Sequence, residues 1–204
     1  MQTSEAMSNL ERVTKTPLLD SLGKMFHEAG YELALVGGPV RDAILGRVAP
    51  DVDLTTNATP DQILEVIKGK VDTHWEIGRD FGTIGCRIGN DQIEITTYRT
   101  DKYDVDSRKP EVKFGTDLVH DLERRDFTVN SMALRLPQRE FVDPFGGLRD
   151  LVDQVLKTPG KPEDSFGDDP LRMLRGARFA SQLGFEIEPA TFEAMQSMRQ
   201  RLEI

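Results

Sequence analysis

Apolar positions follow two different spacings along the first hundred residues. Some segments repeat apolar side chains every three or four residues, as a half-buried helix does, while others are short apolar runs or strictly alternating stretches, as strands are. Helices are predicted at 17–29, 39–45 and 59–69, and strands at 31–36, 51–56 and 82–99, the last as a hairpin turning at Gly89. This order of elements predicts a mixed α/β domain.

Beyond residue 100 the pattern weakens and then becomes helical. Residues 101–115 are charged and show neither period, which predicts a mobile loop, and 141–160 resemble a turn-rich connection. Helical spacing returns with one helix predicted across 167–184 and another after Pro189. We therefore predict an α/β domain over 1–158, with 1–15 as a loose arm, followed by a truncated all-helical domain over 159–204.

Composition narrows the class of protein. Of the 204 residues, 38% are hydrophobic and 30% are charged, which is typical of a globular chain. No apolar run reaches the length of about 20 residues that a membrane span needs, so we expect a cytoplasmic protein without a membrane partner. With one cysteine and three histidines, the sequence indicates neither an internal disulfide nor a structural zinc site.

Charge is unevenly distributed. The net charge of −9 argues against a uniformly basic surface for nucleic acid. Arginines nevertheless cluster at 124–125 and at 172, 175 and 178. A cleft depends on local charge, so one basic cleft remains compatible with the acidic total.

The segment LVGGPVRDAILGRVAPDVDLTT, residues 35–56, concentrates the candidate chemistry. Gly37 and Gly38 end a strand and open a helix that carries Arg41, an arrangement that suits a phosphate group. Asp51 and Asp53 would face the same side of the next strand, about 6.6 Å apart along the backbone. Two such carboxylates either lie exposed to solvent on an edge strand or bind a hard cation such as Mg²⁺.

A third carboxylate lies in the hairpin. Glu94 alternates with isoleucines, so burial of the isoleucines would turn Glu94 toward the other face of the sheet. Three strand-borne carboxylates around two ions form the clamp used in phosphoryl transfer. The alternative is an outward-facing hairpin residue.

The later arginines allow two interpretations. Arg124 and Arg125 either form a solvated helix start or clamp a triphosphate, and a stripe of charges spaced by three is ordinarily the wet face of a helix. The stripe consists of Asp169, Arg172, Arg175 and Arg178. Alternatively, Asp169 and Arg172 could accept and donate along the pairing edge shared by cytosine and adenine, which would reject uracil and guanine.

Five motifs together resemble one family. LVGGPVRDAILG, DVDLTT, IEITTYR, RRDFTVNSMAL and DDPLRMLRGARF occur in the order and at the spacing of the bacterial-type (class II) CCA-adding tRNA nucleotidyltransferases and the related bacterial poly(A) polymerases. The resemblance implies a polymerase-β-like nucleotidyltransferase head with a small mixed sheet, followed by a helical neck. It also implies that residues 101–115 correspond to the flexible loop of the family.

The resemblance assigns roles residue by residue. It implies Asp51 and Asp53 as catalytic Mg²⁺ ligands and Glu94 as the third catalytic acidic position. Nucleotide contacts are implied for Gly37, Gly38, Arg41, Arg125, Asp169, Arg172, Arg175 and Arg178, with Asp169 and Arg172 as the template for the base.

The resemblance also implies the activity and its alternatives. The expected reaction is addition of CMP and AMP to the tRNA 3′ end from CTP and ATP, with release of pyrophosphate. Poly(A) synthesis uses the same motifs, and a truncated chain could be a non-catalytic nucleotide- or RNA-binding fragment.

Overall fold

The computed structural model describes residues 1–102, 111–115 and 117–203. In these ranges the helices are α1 Thr3–Thr14, α2 Pro17–Glu28, α3 Gly38–Ile44, α4 Pro60–Ile67, α5 Leu118–Glu123, α6 Gly147–Asp153, α7 Pro162–Asp168, α8 Leu171–Leu183 and α9 Pro189–Met198. The strands are β1 Leu33–Val36, β2 Val52–Thr56, β3 Thr73–Trp75, β4 Thr83–Ile88, β5 Asp91–Thr97, β6 Arg99–Lys102, β7 Glu111–Phe114, β8 Ala133–Leu136, β9 Glu140–Val142, β10 Val155–Leu156 and β11 Glu186–Ile187. Single 3₁₀ turns occupy Arg79–Phe81, Thr128–Asn130 and Arg199–Glu203.

A mixed seven-stranded sheet organises the first part of the chain, as predicted. Its strand order is β3-β4-β5-β2-β1-β8-β9. The β2–β5 pair is parallel and sets Asp53 directly beside Glu94, while the other pairs in this sheet are antiparallel. The predicted helices at 17–29, 39–45 and 59–69 and the predicted hairpin are present with small shifts at their ends.

One face of this sheet packs into the main core, and the other carries the acidic side chains. Leu54, Ile84 and Ile95 point into the main hydrophobic core, which the first four helices help to build. Because side chains alternate along a strand, Asp53 and Glu94 point to the opposite face. There a smaller apolar cluster under α5 covers only part of the sheet, so the carboxylates lie where the sheet is not fully covered.

The N-terminal segment is a packed helix, so the prediction of a loose arm is wrong. In α1, Ala6 and Leu10 are buried in the main core, and Asn9 donates its Nδ2 to the carbonyl of Ile44 at 3.3 Å. Ala6, Met7, Leu10 and Val13 recur at helical spacing in the sequence, but most of the other residues in the helix are polar, and the prediction gave that polarity more weight than the spacing. None of the helices in the described part of the chain is long and apolar enough to cross a membrane.

The loop predicted at 101–115 is partly strand. Strands β6 and β7 form an antiparallel ribbon at its two ends, and residues 103–110, where the flexible loop was expected, lie outside the described residues. The turn-rich connection at 141–160 also contains β9, α6 and β10. These elements are short, and so they show no measurable sequence period.

The helix predicted across 167–184 is broken. Helix α7 ends at Asp168, and Asp169 takes an extended conformation with φ −140° and ψ 100° before Pro170. Proline disfavours the helical conformation in the residue before it, which accounts for the break. Asp169 therefore precedes α8 instead of forming part of one continuous helical stripe with Arg172.

The start of α6 offers a test of the packing that joins α6 to the rest of the sheet domain. A Cβ built on Gly147 would lie 2.1 Å from the carbonyl oxygen of Thr128 and 2.9 Å from Cγ of Met132. We expect Gly147→Ala to lower the free energy of unfolding by about 1–3 kcal/mol because backbone must move. Gly160→Ala is the control, since its added Cβ would meet nothing within 4 Å.

Urea denaturation of both variants measures this effect. A Gly147→Ala protein as stable as Gly160→Ala would contradict the close contact between α6 and the 3₁₀ turn at Thr128.

Candidate active site

A cleft of about 780 Å³ lies between the uncovered part of the sheet and helix α8. Among the described residues, seven arginines and five aspartates line it, so the cleft is positive although the whole chain carries a charge of −9. The arginines are Arg41, Arg99, Arg124, Arg125, Arg172, Arg175 and Arg178, and the aspartates are Asp42, Asp51, Asp53, Asp126 and Asp169. Local clustering thus outweighs the overall charge, a possibility that the clustered arginines of the sequence had left open.

The Gly-Gly turn brings an arginine against the backbone. Gly37 joins β1 to α3 with φ +70°, a conformation that favours glycine. A Cβ built on Gly37 would lie 2.9 Å from Nη1 of Arg125. The backbone conformation therefore favours glycine at this position, and the absence of a side chain leaves room for the guanidinium group of Arg125 beside it.

The aspartate pair stands at the beginning of β2. Asp51 is exposed just before the strand and Asp53 is half-buried within it, and both line the cleft. Burial raises the pKa of Asp53, and the negative charge of Glu94 beside it raises that pKa further. Arg125 acts in the opposite direction, while Asp51 adds a smaller upward shift. Negative charge is therefore incompletely compensated here, and the oxygen donors suit a divalent cation such as Mg²⁺.

Glu94 lies beside the cleft without lining it. It is the register partner of Asp53 on the same face of the sheet, but its own side chain is exposed. In the described part of the chain, no group of three or more His, Cys, Asp or Glu side chains is positioned to hold a metal ion.

A buried carboxylate outside the set of predicted site residues positions the arginine pair. Asp121 is 0% exposed; its Oδ1 accepts from Nε and Nη2 of Arg124 at 3.0 and 2.8 Å, and its Oδ2 accepts from Nη2 of Arg125 at 3.1 Å. Burial by itself raises the pKa of Asp121, but the charges of Arg125 and Arg124 outweigh this effect and lower it. The buried Asp121 therefore holds both guanidinium groups in place, and of the two interpretations of the pair, that of a solvated helix start is wrong.

A continuous hydrogen-bonded chain connects α3 to α8. Arg41 donates Nη1 to Oδ1 of Asn130 at 2.7 Å and pairs with Asp42. Asn130 in turn donates Nδ2 to Oδ1 of Asp126 at 2.9 Å, and Oδ2 of Asp126 accepts from Nε of Arg175 at 2.7 Å. Both arginines have a carboxylate partner, so these side chains are held in place by the protein itself.

The ring of Phe179 lies among three of the arginines. The guanidinium carbons of Arg41, Arg175 and Arg178 are 5.4, 5.3 and 5.0 Å from its centroid. Phe179 is 7% exposed and meets Phe127 edge to face, with the centroids 6.1 Å apart. Cations over an aromatic face are stabilised by its quadrupole, so the ring keeps the like charges together.

Asp169, just before α8, and Arg172, in the first turn of α8, both have hydrogen-bond partners within the protein, unlike residues on a solvated helix face. Arg172 is 7% exposed and donates Nη1 to Oγ of Ser165 at 2.9 Å and Nη2 to the carbonyl of Arg124 at 2.6 Å. Asp169 accepts a hydrogen bond from the backbone N–H of Leu171 at 3.0 Å. Both side chains line the cleft in fixed positions, and the interpretation of a solvated stripe is wrong for Arg172.

The structure brings together every predicted site residue except Glu94. These are Gly37, Gly38, Arg41, Asp51, Asp53, Arg125, Asp169, Arg172, Arg175 and Arg178. Asp42, Asp121 and Phe179 belong to the site or support it without having been predicted. An aspartate four residues before an arginine is a signal for Asp121, because positions i and i+4 are neighbours on a helix.

Comparison with known proteins gives a consistent family. Residues 33–157 match the model of the Poly A polymerase head domain. The chain is 45% identical over 169 residues to the CCA-adding enzyme of Bacillus subtilis, a match that covers 82% of this chain and 41% of that enzyme. The chain spans about two fifths of the length of the curated relatives it matches.

Solved structures agree with the fold. The Bacillus stearothermophilus CCA-adding enzyme in complex with CTP superposes with a TM-score of 0.77 at 35% identity, covering 89% of this chain and 43% of the other. A tRNA nucleotidyltransferase complexed with a primer tRNA and an incoming ATP analog gives a TM-score of 0.71 at 32% identity, covering 88% and 50%.

The buried carboxylate gives a prediction about stability and its pH dependence. We expect Asp121→Asn to lower the free energy of unfolding by about 3 kcal/mol at neutral pH, because two guanidinium groups lose a buried partner. The folded-state pKa of Asp121 is depressed, so this contribution is complete above its unfolded-state pKa and disappears as the pH falls through the folded-state value. The difference between the two proteins should therefore shrink below about pH 4.

Urea denaturation between neutral and acidic pH tests this prediction. Asp153→Asn is the control, because its pair with Arg149 is exposed at both ends and should be worth at most about 1 kcal/mol. A difference between Asp121→Asn and the unmodified protein that is independent of pH would contradict the proposed charge pairing.

Proposed function

This chain belongs to the Poly A polymerase head domain family, and on that premise we propose that it adds CMP and AMP to the 3′ end of tRNA from CTP and ATP, releasing pyrophosphate. The observation that carries the proposal is the cleft, in which a glycine turn, an aspartate pair and seven arginines converge. Relatives named CCA-adding enzymes, at 43–45% identity, support this activity over other nucleotidyl transfers.

The glycine turn and its arginines form the proposed triphosphate site. Gly37 lets Nη1 of Arg125 approach the backbone, and Arg41 is the fourth residue of the short helix α3 that follows the turn. Arginine presents several N–H donors in a rigid fork that matches phosphate oxygens. Since Asp121 and Asn130 already orient these guanidinium groups, little side-chain entropy is lost when a triphosphate binds.

The aspartate pair forms the proposed metal site. Asp51 and Asp53 would hold Mg²⁺ together with phosphate oxygens of the nucleotide, and Glu94 would add negative charge beside them. Bound Mg²⁺ supplies charge neutralisation at the triphosphate and lowers the pKa of the attacking hydroxyl. The raised pKa of Asp53 supports this role, because a cation would relieve the repulsion that contributes to it.

The base is proposed to meet Asp169 and Arg172. Cytosine and adenine both present an amino donor next to a ring-nitrogen acceptor, which a carboxylate and a guanidinium complement. The bonds from Arg172 to Ser165 and to the carbonyl of Arg124 use two of its five N–H donors, so the group is oriented and still able to donate. A rigid pair rejects uracil and guanine because like groups would then face each other.

Extension of labelled tRNAs that end before CCA, after C and after CC tests the proposed activity. With CTP, ATP and Mg²⁺ we expect addition up to the complete CCA and then arrest, and Asp53→Asn should lower the rate at least about a hundredfold because the metal contributes several kcal/mol. A long run of A without use of CTP would assign poly(A) synthesis instead. No extension, despite selective binding of CTP and ATP, would leave a nucleotide-binding module.

Substitution of the proposed template aspartate tests base choice. We expect Asp169→Ala to raise incorporation of UTP relative to CTP by about ten- to a hundredfold, since hydrogen bonds to charged groups are worth about 1.5–3 kcal/mol. Asp164→Ala on the exposed side of α7 is the matched control. Unchanged rejection of UTP and GTP by a folded Asp169→Ala protein would refute the templating role.

A further inference from the structure

Four residues form a straight row across the sheet on the face that carries the aspartates. Trp75 pairs with Gly85, and Gly85 pairs with Glu94. Glu94 pairs in turn with Asp53. Directly paired residues point to the same face, and neighbouring strands are about 4.8 Å apart, so the backbone of Trp75 lies about 14 Å from that of Asp53. The row thus leads from the aspartates to the single tryptophan of the chain.

The indole ring of Trp75 lies directly on the backbone of Gly85. A Cβ built on Gly85 would be 2.0 Å from Nε1 and 2.1 Å from Cε2 of the ring. Gly85 has no left-handed φ, so the ring and not the backbone conformation requires glycine here. Trp75 is half-buried, and its register with Gly85 places it on the face of the sheet that carries the aspartates.

The chemistry of the proposed reaction decides from which side the acceptor arrives. In-line displacement places the attacking oxygen and the leaving pyrophosphate on opposite sides of the phosphorus. Gly37 and Arg125, the proposed triphosphate contacts, lie toward β1, and β5, β4 and β3 lie on the other side of β2. The 3′-hydroxyl therefore approaches over β5, and the nucleotides behind it extend toward β3.

The surface along this path suits single-stranded nucleic acid. Aromatic faces stack unpaired bases, and arginines neutralise the phosphates between them. Arg87 is exposed two residues from Gly85 and points to the same face, because strand residues alternate. At the other end, Arg99 lines the cleft and donates Nη1 to the carbonyl of Phe81 at 2.9 Å, which ties the turn after β3 to the cleft.

We propose that the indole of Trp75 is a stacking platform for an unpaired base near the 3′ end of the acceptor RNA. The space over Glu94 would take the terminal nucleotide, and the ring over Gly85 would take the base behind it. This inference rests on the proposed function, because the direction of approach follows from transfer to a 3′-hydroxyl.

Tryptophan emission provides a direct test, since the chain contains one tryptophan. The chain is titrated, without nucleotide, with an RNA hairpin that has a single-stranded 3′ overhang and with the same hairpin made blunt. We expect a saturable loss of emission with the overhang and none with the blunt hairpin or with CTP alone. Equal emission with both hairpins would overturn the proposal.

Three variants test the contribution to catalysis. Trp75→Leu keeps an apolar cover on Gly85 without an aromatic face, Trp75→Phe keeps the face, and His74→Leu changes the neighbouring residue that points the other way. We expect Trp75→Leu to raise the KM for RNA by about five- to thirtyfold, Trp75→Phe by less than about threefold, and the KM for CTP to stay constant. A KM for CTP that rises as much as the KM for RNA would indicate general disruption and contradict a platform for RNA.

The two measurements separate this inference from the proposed function. If the protein extends tRNA but its tryptophan emission does not change with the overhang RNA, the proposed function is supported and the proposed platform is refuted. If the protein does not extend tRNA but its tryptophan emission falls when the overhang RNA binds, the proposed platform is supported and the proposed function is refuted. If Trp75→Leu fails to fold, as judged by circular dichroism, the emission of the unmodified chain decides the matter.

Discussion

The positive half of the cleft depends on the burial of one carboxylate, Asp121. Two adjacent arginines repel each other, and without a partner beneath them they would turn to solvent. Asp121 gives each guanidinium an oxygen, so Arg125 lies against Gly37 while the carbonyl of Arg124 accepts from Arg172. The buried charge of Asp121 thus orients the arginine pair at the place where the sheet domain meets helix α8.

Internal pairing also explains how so many like charges share a small volume. Arg41 and Arg175 are each bound to an aspartate, and the ring of Phe179 lies beside both. Side chains held in this way do not need to reorganise when a charged ligand arrives, which is the basis of electrostatic preorganisation. The arrangement links elements far apart in sequence through short contacts, so the cleft is assembled by the fold as a whole.

Local signals account for what can be predicted. The Gly-Gly turn and the aspartate pair are each contained in a few residues, and both line the cleft, as their place in the family motifs implies. Glu94, predicted from alternation, points to the expected face of the sheet but does not line the cleft. Pro170 is also a local signal, and the helix predicted across it results from giving the spacing of apolar residues more weight than the proline.

Contacts between distant segments cannot be predicted in the same way. That Asp121 is buried depends on Thr55 and on the backbone of Arg99 beside it. Phe179 resembles an ordinary core residue of a helix, and nothing near it in the sequence indicates that Arg41 lies over its ring. Helix α1 differs from these cases, because the helical spacing of Ala6, Met7, Leu10 and Val13 is a local signal that the polar residues around it obscured.

The contrast between a positive cleft and an acidic total charge has a consequence for encounters in solution. A polyanion approaching from most directions meets repulsion, whereas the mouth of the cleft attracts it. Encounters in which a polyanion meets the protein away from the cleft therefore last only a short time. The negative charge outside the cleft would therefore direct an approaching nucleic acid toward the mouth of the cleft.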